Sequence, residues 1–367
     1  MTELSLGGRF LIIGVPGVEL DSETREVIQE IQPAGFILFG RNIKSSQQLR
    51  NLTDDLRFSV QHEPIITIDQ EGGRVSRLKE IGNEPPSARQ LREKRDPSLI
   101  EWHGRLTGQL LRLFGFNLDL CPVLDVSFDD EADNSLKNRT YGRTAEDVIR
   151  FAGAFNRGLR SEGVLSCGKH FPGYSAATVD PHHDLPTINR TLVELSSCEW
   201  QPYRAIQSEL DSIMVGHIRN IHLDPTGTAS SLSRPMIQGV LREQWRYQGC
   251  VITDDMDMGA ILNEYGFDDS MRMAIEAGND LILLCHRVPM AKRAAEVLSQ
   301  LPENTTLAAI NRIAALRTRL AAPSHFSLKR HSEIDTEVYK LRESTLGIEA
   351  AKTRSTDIGK RSPVETY

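Results

Sequence analysis

The stretch FLIIGVPGVELDSETREVIQEIQPAGFILFG, residues 10–40, has an apolar, β-rich run at each end and a helix-compatible segment between them. The same alternation continues along the chain. It predicts parallel strands joined by crossover helices, which is an α/β architecture. The strand-like runs are FLIIG (10–14), GFILFG (35–40), PIITID (64–69), FNLDLCPVLDV (116–126), VLSCGKH (164–170), SIMVGHI (212–218), GCVITDD (249–255) and DLILLC (280–285).

Eight strand-like runs separated by helix-compatible stretches favour a TIM-type (β/α)8 barrel over an open doubly wound sheet. The first run is also not followed by the GxGxxG motif of dinucleotide-binding sheets. We therefore predict a single catalytic barrel domain over residues 1–322. Residues 323–367 are polar and charged, and we expect them to form a short C-terminal extension with one more helix and a partly disordered end.

The composition is that of an ordinary globular enzyme, with 39% hydrophobic and 25% charged residues in a chain of 367. A net charge of -7 argues against a nucleic-acid partner held by a basic face. No apolar run approaches the length of roughly 20 residues that a membrane span needs, and the N-terminus lacks the features of a secretion signal. We therefore expect a cytoplasmic protein. The five cysteines, with no CxxC pair, are expected to be reduced core thiols.

Polar residues stand where the predicted strands end, and in barrels of this kind the active site lies at the carboxyl ends of the strands. Asp125 and Asp255 are also typical of loop-bracing or helix-capping positions. Neighbouring strand residues point to opposite faces, so only one of Asp254 and Asp255 should face the barrel axis. A carboxylate there suits attack on an anomeric carbon. The polar residues at strand ends are Asp69, Asp125, Lys169, His170, His217, Asp254 and Asp255.

The segment IDQEGGRVSRL, residues 68–78, ends a strand in Asp69 and then passes through two glycines. We expect a helix after this turn, carrying Arg74 and Arg77. A carboxylate can accept hydrogen bonds from paired sugar hydroxyls, and an arginine can donate to a carboxylate or an acyl oxygen. By residue type, the segment suits sugar binding.

The segment KHFPGYSAATVDPHHDLP, residues 169–186, is a long loop that contains Asp180 and His182. If the loop folds back, the carboxylate can hold the imidazole and favour its protonated form, which makes a proton-transfer pair. The alternative is a surface loop with a structural Asx turn. A metal site on the histidines and Asp180 is a third possibility, but the spacing lacks any HExxH-like pattern. We expect no metal and no cofactor.

Together, IDQEGGRVSRL, KHFPG followed by D-x-H, MVGHI (214–218) and ITDDMDMGAI (252–261) closely resemble, in this order, the β-N-acetylhexosaminidases of glycoside hydrolase family 3. The resemblance covers residues 8–320. It implies a TIM-type barrel that removes terminal β-linked N-acetylglucosamine by a retaining mechanism. Its partners would be small carbohydrates, N-acetylglucosaminyl glycosides and muropeptides, in peptidoglycan recycling.

The resemblance also assigns roles to individual residues. Asp254 would be the nucleophile that forms a covalent glycosyl-enzyme, and His182, with Asp180 as its partner, would be the acid and base. A histidine in this role departs from the usual pair of carboxylates. His217 is an additional candidate for sugar binding. The other residues that match sugar-binding positions are Asp69, Arg77, Arg139 (in NRTYG, 138–142), Lys169 and His170.

Two features depart from many members of the family. Tyr174 and Ser175 follow KHFPG where relatives have His-Gly, and Pro181 separates Asp180 from His182 where relatives have Ser or Thr. Proline restricts its own φ and the residue before it, so the loop is expected to be stiffer. His183 is a less favoured substitute for His182. A phosphorylase, a β-glucosidase and a non-catalytic sugar-binding barrel remain as alternative functions.

Overall fold

In the computed structural model, which describes residues 3–132, 134–176 and 185–354, the eight predicted strand segments form one closed barrel. Each strand pairs in parallel with its neighbours, which confirms the TIM-type prediction. The barrel strands are β1 (Leu11–Gly14), β2 (Gly35–Leu38), β3 (Ile65–Ile68), β6 (Leu118–Asp119), β7 (Leu165–Phe171), β8 (Ser212–Val215), β9 (Cys250–Asp255) and β10 (Leu281–Leu284), and a separate hairpin consists of β4 (Gln70–Gly72) and β5 (Val75–Ser76).

The strand β6 is much shorter than the run at residues 116–126 that predicted it. Pro122 has no N–H to donate to a neighbouring strand, and beyond it only an isolated bridge from Val123 to Lys169 continues the pairing. The side chain of Asn117 closes the other end, because its amide accepts from the Ile66 N–H at 2.8 Å and donates to the Pro64 carbonyl at 2.9 Å. Side-chain hydrogen bonds thus replace part of the ladder.

The chain after β3 forms the hairpin β4–β5 and then a short 3-10 helix, Arg77–Glu80, where we expected an α-helix carrying Arg74 and Arg77. Gly72 and Gly73 both adopt positive φ, at 98° and 57°, and reverse the chain at that point. A residue at Gly72 with a Cβ would also approach the Pro86 carbonyl oxygen to 2.4 Å. The two glycines therefore fold the predicted sugar-binding segment back over the barrel rim.

Several helices begin at a side-chain cap that the sequence supplies. Asp21 caps α2 by accepting from the Thr24 N–H, and Ser45 and Gln48 form a capping box at α3. No helix in the described ranges is both long and apolar enough to cross a membrane. The α-helices are α1 (Glu3–Gly8), α2 (Ser22–Ile31), α3 (Ser46–Phe58), α4 (Ala88–Glu93), α5 (Pro97–Leu113), α6 (Ala145–Ser161), α7 (Leu192–Ser197), α8 (Trp200–Ile206), α9 (Gly259–Tyr265), α10 (Phe267–Ala277), α11 (Val288–Ser299), α12 (Glu303–Arg317), α13 (Leu328–Leu346) and α14 (Ile348–Ala351), and Pro235–Gln244 is π-helical.

The helix α13 lies within the region that we expected to be a polar extension, but it packs on the barrel. Its residues Ile334, Val338 and Leu341 are buried and belong to the main hydrophobic core. Its polar side is also anchored, since Asp335 accepts hydrogen bonds from the backbone and side-chain nitrogens of Asn83. Residues 328–346 therefore share the core of the barrel, and the end of the predicted extension, 355–367, lies outside the described residues.

The packing of α13 predicts that Leu341→Ala will lower the free energy of unfolding by about 2–5 kcal/mol, because it leaves a cavity in the shared core. Thr336→Ala, an exposed position on the same helix, serves as the control and should change stability little. Chemical denaturation measures both variants. A Leu341→Ala protein as stable as the wild type would show that α13 is a separable appendage.

Candidate active site

A cavity opens at the carboxyl ends of the barrel strands and contains six of the nine predicted site residues. Phe39, Tyr174 and Met258 contribute apolar surface to its wall. The sequence placed the six residues at separate points along the chain, and the closed barrel brings them to one rim. They are Asp69, Arg77, Arg139, Lys169, His170 and Asp254.

A buried network of charges forms one side of this cavity. The Lys169 ammonium lies 2.6 Å from Asp69 Oδ1 and 2.7 Å from Glu71 Oε1. Arg139 donates two hydrogen bonds to Glu71, at 2.8 and 2.7 Å. Such forked arginine–carboxylate pairs have strong directional preference. The network therefore fixes the positions of Lys169 and Arg139.

Glu71 is a member of the site that the sequence did not identify. Burial opposes its ionisation, but Arg139 and Lys169 more than offset that effect and hold its pKa below the usual range. For Lys169, burial alone would lower the pKa, but the neighbouring carboxylates of Asp69 and Glu71 outweigh this effect and raise it. Glu71 and Lys169 are therefore both charged at neutral pH, although both are buried.

Asp69 is the member of the network nearest to solvent, with a side-chain exposure of 13%. Its Oδ2 lies 3.7 Å from the Arg77 guanidinium, and Arg77 in turn lies over the ring of Phe39. A carboxylate between two cations keeps its orientation but retains lone pairs for further hydrogen bonds. Asp69 can therefore accept from hydroxyl groups of a ligand in the cavity.

The ring of His170 is held by Asp125. The Asp125 Oδ2 lies 2.8 Å from His170 Nδ1 and also accepts from the His170 backbone N–H, while Oδ1 accepts from the Tyr174 N–H. These bonds confirm the bracing role expected for Asp125. Because Nδ1 faces the carboxylate, Nε2 is the nitrogen of His170 that can contact a ligand.

The carboxylates of Asp254 and Asp255 have different surroundings at the end of β9. Both residues line the cavity, but only Asp254 is partly exposed. Asp255 is buried, and its Oδ1 accepts from the backbone N–H groups of Asp257 and Cys285, at 3.0 and 3.1 Å. Its own N–H donates to Asp254 Oδ1 at 2.9 Å. Asp254 is thus the residue open to a ligand, and Asp255 is the brace.

His217 lies behind the cavity, where it is fully buried. Its Nδ1 lies 2.7 Å from Ser231 Oγ and its Nε2 lies 2.9 Å from the Asp255 carbonyl oxygen. It does not line the cavity. We expected His217 to bind sugar, and its placement favours a different role, which is to hold the strand end that carries Asp254.

Asp180, Pro181, His182 and His183 lie outside the described residues, so the predicted acid/base pair remains a prediction. The start of their loop is described. The Tyr174 hydroxyl accepts from the His217 N–H at 2.9 Å, and Ser175 Oγ accepts from the Val126 N–H at 3.1 Å. Tyr174 and Ser175, two of the three residues that depart from the family pattern, thus anchor this end of the loop.

Tyr174 is matched to a glycine on the neighbouring strand connection. A Cβ at Gly216 would lie 2.6 Å from the Tyr174 ring, a distance that real Cβ contacts do not reach.

Among residues 3–132, 134–176 and 185–354, no cluster of three or more histidine, cysteine or acidic side chains is arranged to hold a metal ion.

Residues 8–316 match the N-terminal domain of glycosyl hydrolase family 3. A β-hexosaminidase of Vibrio cholerae serotype O1 is 34% identical over 296 residues, which are 80% of this chain and 86% of the relative.

Solved structures with the same fold include proteins from the same family. A glycoside hydrolase family 3 β-N-acetylglucosaminidase from a Paenibacillus strain has a TM-score of 0.86 at 31% identity and covers 94% of this chain, which covers 69% of it. NagZ from Neisseria gonorrhoeae, in complex with N-trifluoroacetyl-D-glucosamine, has a TM-score of 0.79 at 25% identity, with coverage of 91% and 98%. These matches confirm the resemblance seen in the sequence. The chain belongs to glycosyl hydrolase family 3 and is a glycoside hydrolase of the β-hexosaminidase kind.

Proposed function

We propose that this enzyme removes terminal, non-reducing β-linked N-acetylglucosamine residues with retention of configuration. One observation carries the proposal: the partly exposed carboxylate of Asp254 lines the same cavity as Asp69, Lys169 and His170. A potential nucleophile therefore faces groups that can bind the hydroxyls of one sugar. The sugar analogue named in the Neisseria gonorrhoeae complex is an N-acylated glucosamine, which supports the same ligand class here.

In the first step, an Asp254 oxygen attacks the anomeric carbon and the bond to the departing oxygen breaks. His182 gives its proton to that oxygen, so the aglycone leaves as an alcohol. In the second step, His182 takes a proton from water while the water oxygen attacks the same carbon and releases Asp254. Asp180 would hold the imidazole and stabilise its charged form. Two inversions at one carbon give net retention.

The buried network suits the binding side of this reaction. Asp69 accepts hydrogen bonds from outer hydroxyls, while Lys169 and the Nε2 of His170 reach hydroxyl or acetamido oxygens. Arg77 and Arg139 keep the carboxylates in place. Because these groups are already ordered by bonds to one another, little orientation entropy is lost when the sugar arrives.

Asp255 limits the charge at the end of β9. Burial raises the pKa of Asp255 to about 7, and the nearby charges of Asp257 and Asp254 act in the same direction. Near neutral pH, Asp254 therefore stands beside a carboxyl group that carries a proton for a large part of the time. The Asp254 carboxylate is then the negative group of this pair that faces the positive charge developing in the transition state.

We further propose that the natural substrates are N-acetylglucosaminyl muropeptides and that the enzyme acts in cytoplasmic peptidoglycan recycling. The relatives named β-hexosaminidase support the sugar, and the NagZ structures support the assignment to this group. Release of free N-acetylglucosamine from disaccharide muropeptides, followed by chromatography, tests the substrate. An enzyme that cleaves simple aryl glycosides but leaves muropeptides intact would contradict this role.

Asp254→Ala should reduce turnover of p-nitrophenyl N-acetyl-β-glucosaminide by roughly 10³-fold or more, because no covalent intermediate can form. Added azide should restore release of nitrophenol and give the α-glycosyl azide, since azide enters from the vacated face. Asp268→Asn, on the surface helix α10, controls for loss of a carboxylate. Hydrolysis that persists in Asp254→Ala, or wild-type turnover that yields N-acetylglucosamine 1-phosphate in phosphate buffer, would contradict the hydrolytic mechanism.

His182→Ala should depend strongly on the leaving group. Departing phenols that are acidic leave without protonation, so the kcat/KM of their aryl glycosides, which reports the first step, should fall little, whereas the kcat/KM of alkyl glycosides should fall about 10²–10⁴-fold. His183→Ala is the matched control and should behave like the wild type with both substrates. Equal losses on both substrates in His182→Ala, or the leaving-group dependence appearing in His183→Ala, would remove His182 from the acid role.

The raised pKa of Asp255 predicts a pH-dependent stability. Between about pH 4 and pH 7 the folded protein holds a proton that the unfolded chain has released, so stability falls as pH rises through this window. Relative to Asp255→Asn, the wild type should lose on the order of 1 kcal/mol per pH unit between pH 5 and pH 7. Urea denaturation across this range measures the difference, with Asp269→Asn as an exposed control. A difference that is independent of pH would show that Asp255 is ionised throughout.

A further inference from the structure

A second cavity, of about 600 Å³, lies on the face of the barrel opposite the candidate active site. Its walls come from residues that precede barrel strands and from the helix α12. Arg9 lies just before β1, Gln32 lies between α2 and β2, and His62 lies just before β3. These are the amino-terminal ends of the strands, whereas Asp254 stands at the carboxyl end of β9. The cavity is therefore separate from the catalytic rim.

Among the described residues, the wall of this cavity contains two arginines and a histidine but no carboxylate. Arg317, from the last turn of α12, has its Nε and Nη2 atoms buried without a hydrogen-bond partner among the described residues. Burial lowers the pKa of Arg317, and the charge of Arg9 adds to this effect. The accessible part of the Arg317 side chain lines the cavity, and an anion there would offset part of the cost of burying the charge.

His62 adds no charge to this cavity. Burial and the Arg317 charge lower its pKa to about 4, so the ring is neutral at physiological pH. Its Nε2 donates to the Pro33 carbonyl at 2.9 Å. The wall beside it is fixed, since Gln32 accepts from the Gln61 N–H at 2.8 Å and donates to the Gln29 carbonyl at 3.1 Å. The positive charge thus stands in a preformed cavity.

We propose that this cavity binds a small hydroxylated oxyanion, whose phosphate or carboxylate group lies against Arg317. The Arg317 guanidinium attracts either group electrostatically, and an arginine donates strong hydrogen bonds to both kinds of oxygen. The side-chain amides of Gln29 and Gln61 offer donors and acceptors for hydroxyls, and Ile310 and Ile313 give an apolar floor for a carbon skeleton. The site is a ligand site in addition to the one that hydrolyses glycosides.

Isothermal titration of the full-length protein with inorganic phosphate, glucose 6-phosphate, gluconate and glucose tests the proposal. At least one anion should bind saturably at millimolar concentration or below, and glucose should not. Comparison of glucose 6-phosphate with gluconate decides whether the group is a phosphate or a carboxylate. Absence of saturable binding for all three anions, or equal binding of glucose, would overturn the proposal.

Arg317→Gln locates the site. It should weaken anion binding roughly tenfold or more, as expected for loss of charged hydrogen bonds, while Arg317→Lys should retain part of the affinity. Arg204→Gln removes an exposed charge on α8 and should leave binding unchanged. Retained hydrolysis of the chromogenic glycoside verifies that each variant is folded. Undiminished anion binding by a folded Arg317→Gln protein would show that the anion binds elsewhere.

The thermal stability of the same proteins gives an independent readout. Without anion, Arg317→Gln should melt no lower than the wild type, because the substitution removes a buried cation that has no acceptor. The bound anion should raise the Tm of the wild type and of Arg204→Gln by mass action, and should leave that of Arg317→Gln unchanged. An equal rise in all three proteins would contradict a site on Arg317.

Discussion

Lys169 is buried between the carboxylates of Asp69 and Glu71, and the candidate sugar site is organised by these two ion pairs. Removing two or three charges from water is costly, and the cost is offset only when geometry and hydrogen bonds are nearly complete. Here Arg139 donates two hydrogen bonds to Glu71 and so satisfies the rest of its carboxylate. The network joins the end of β7, the hairpin after β3 and the NRTYG segment, so one electrostatic requirement fixes three parts of the rim.

The candidate nucleophile is also held in place by hydrogen bonds from neighbouring strands. Asp254 stands at the cavity, and the next residue, Asp255, is tied to the end of β10 through the Cys285 N–H. His217 holds the Asp255 carbonyl from the end of β8. A carboxylate that attacks a carbon atom must be held in one orientation before the substrate arrives. Two neighbouring strands therefore position a residue that belongs to a third.

Much of this arrangement could be predicted from the sequence, because its signals are local. The eight apolar runs and their alternation with helices identified the barrel, and strand ends identified Asp69, Lys169 and Asp254. Glu71 was missed because its role depends on Arg139, 68 residues away. We also expected a helix where the chain turns at Gly72 and Gly73 into a hairpin. No pattern in one sequence reports such a pairing.

Two further differences have separate causes. The burial of His217 depends on which way a side chain faces at a strand end, and periodicity does not decide that. The docking of α13 did have a signal, since Ile334, Val338 and Leu341 follow helical spacing, but the polar composition of residues 323–367 outweighed it. The distal cavity around Arg317 arises from the packing of α12 against strand starts, and it carried no motif.

Trapping the glycosyl-enzyme intermediate would identify the residue that carries the sugar during turnover. The enzyme would be incubated with a fluorinated N-acetylglucosaminyl donor that slows release of the intermediate, then digested and analysed by mass spectrometry. Our account predicts one sugar, attached through an ester to the peptide that contains Asp254. A sugar attached to another residue, or the absence of any adduct together with inverted product, would contradict it.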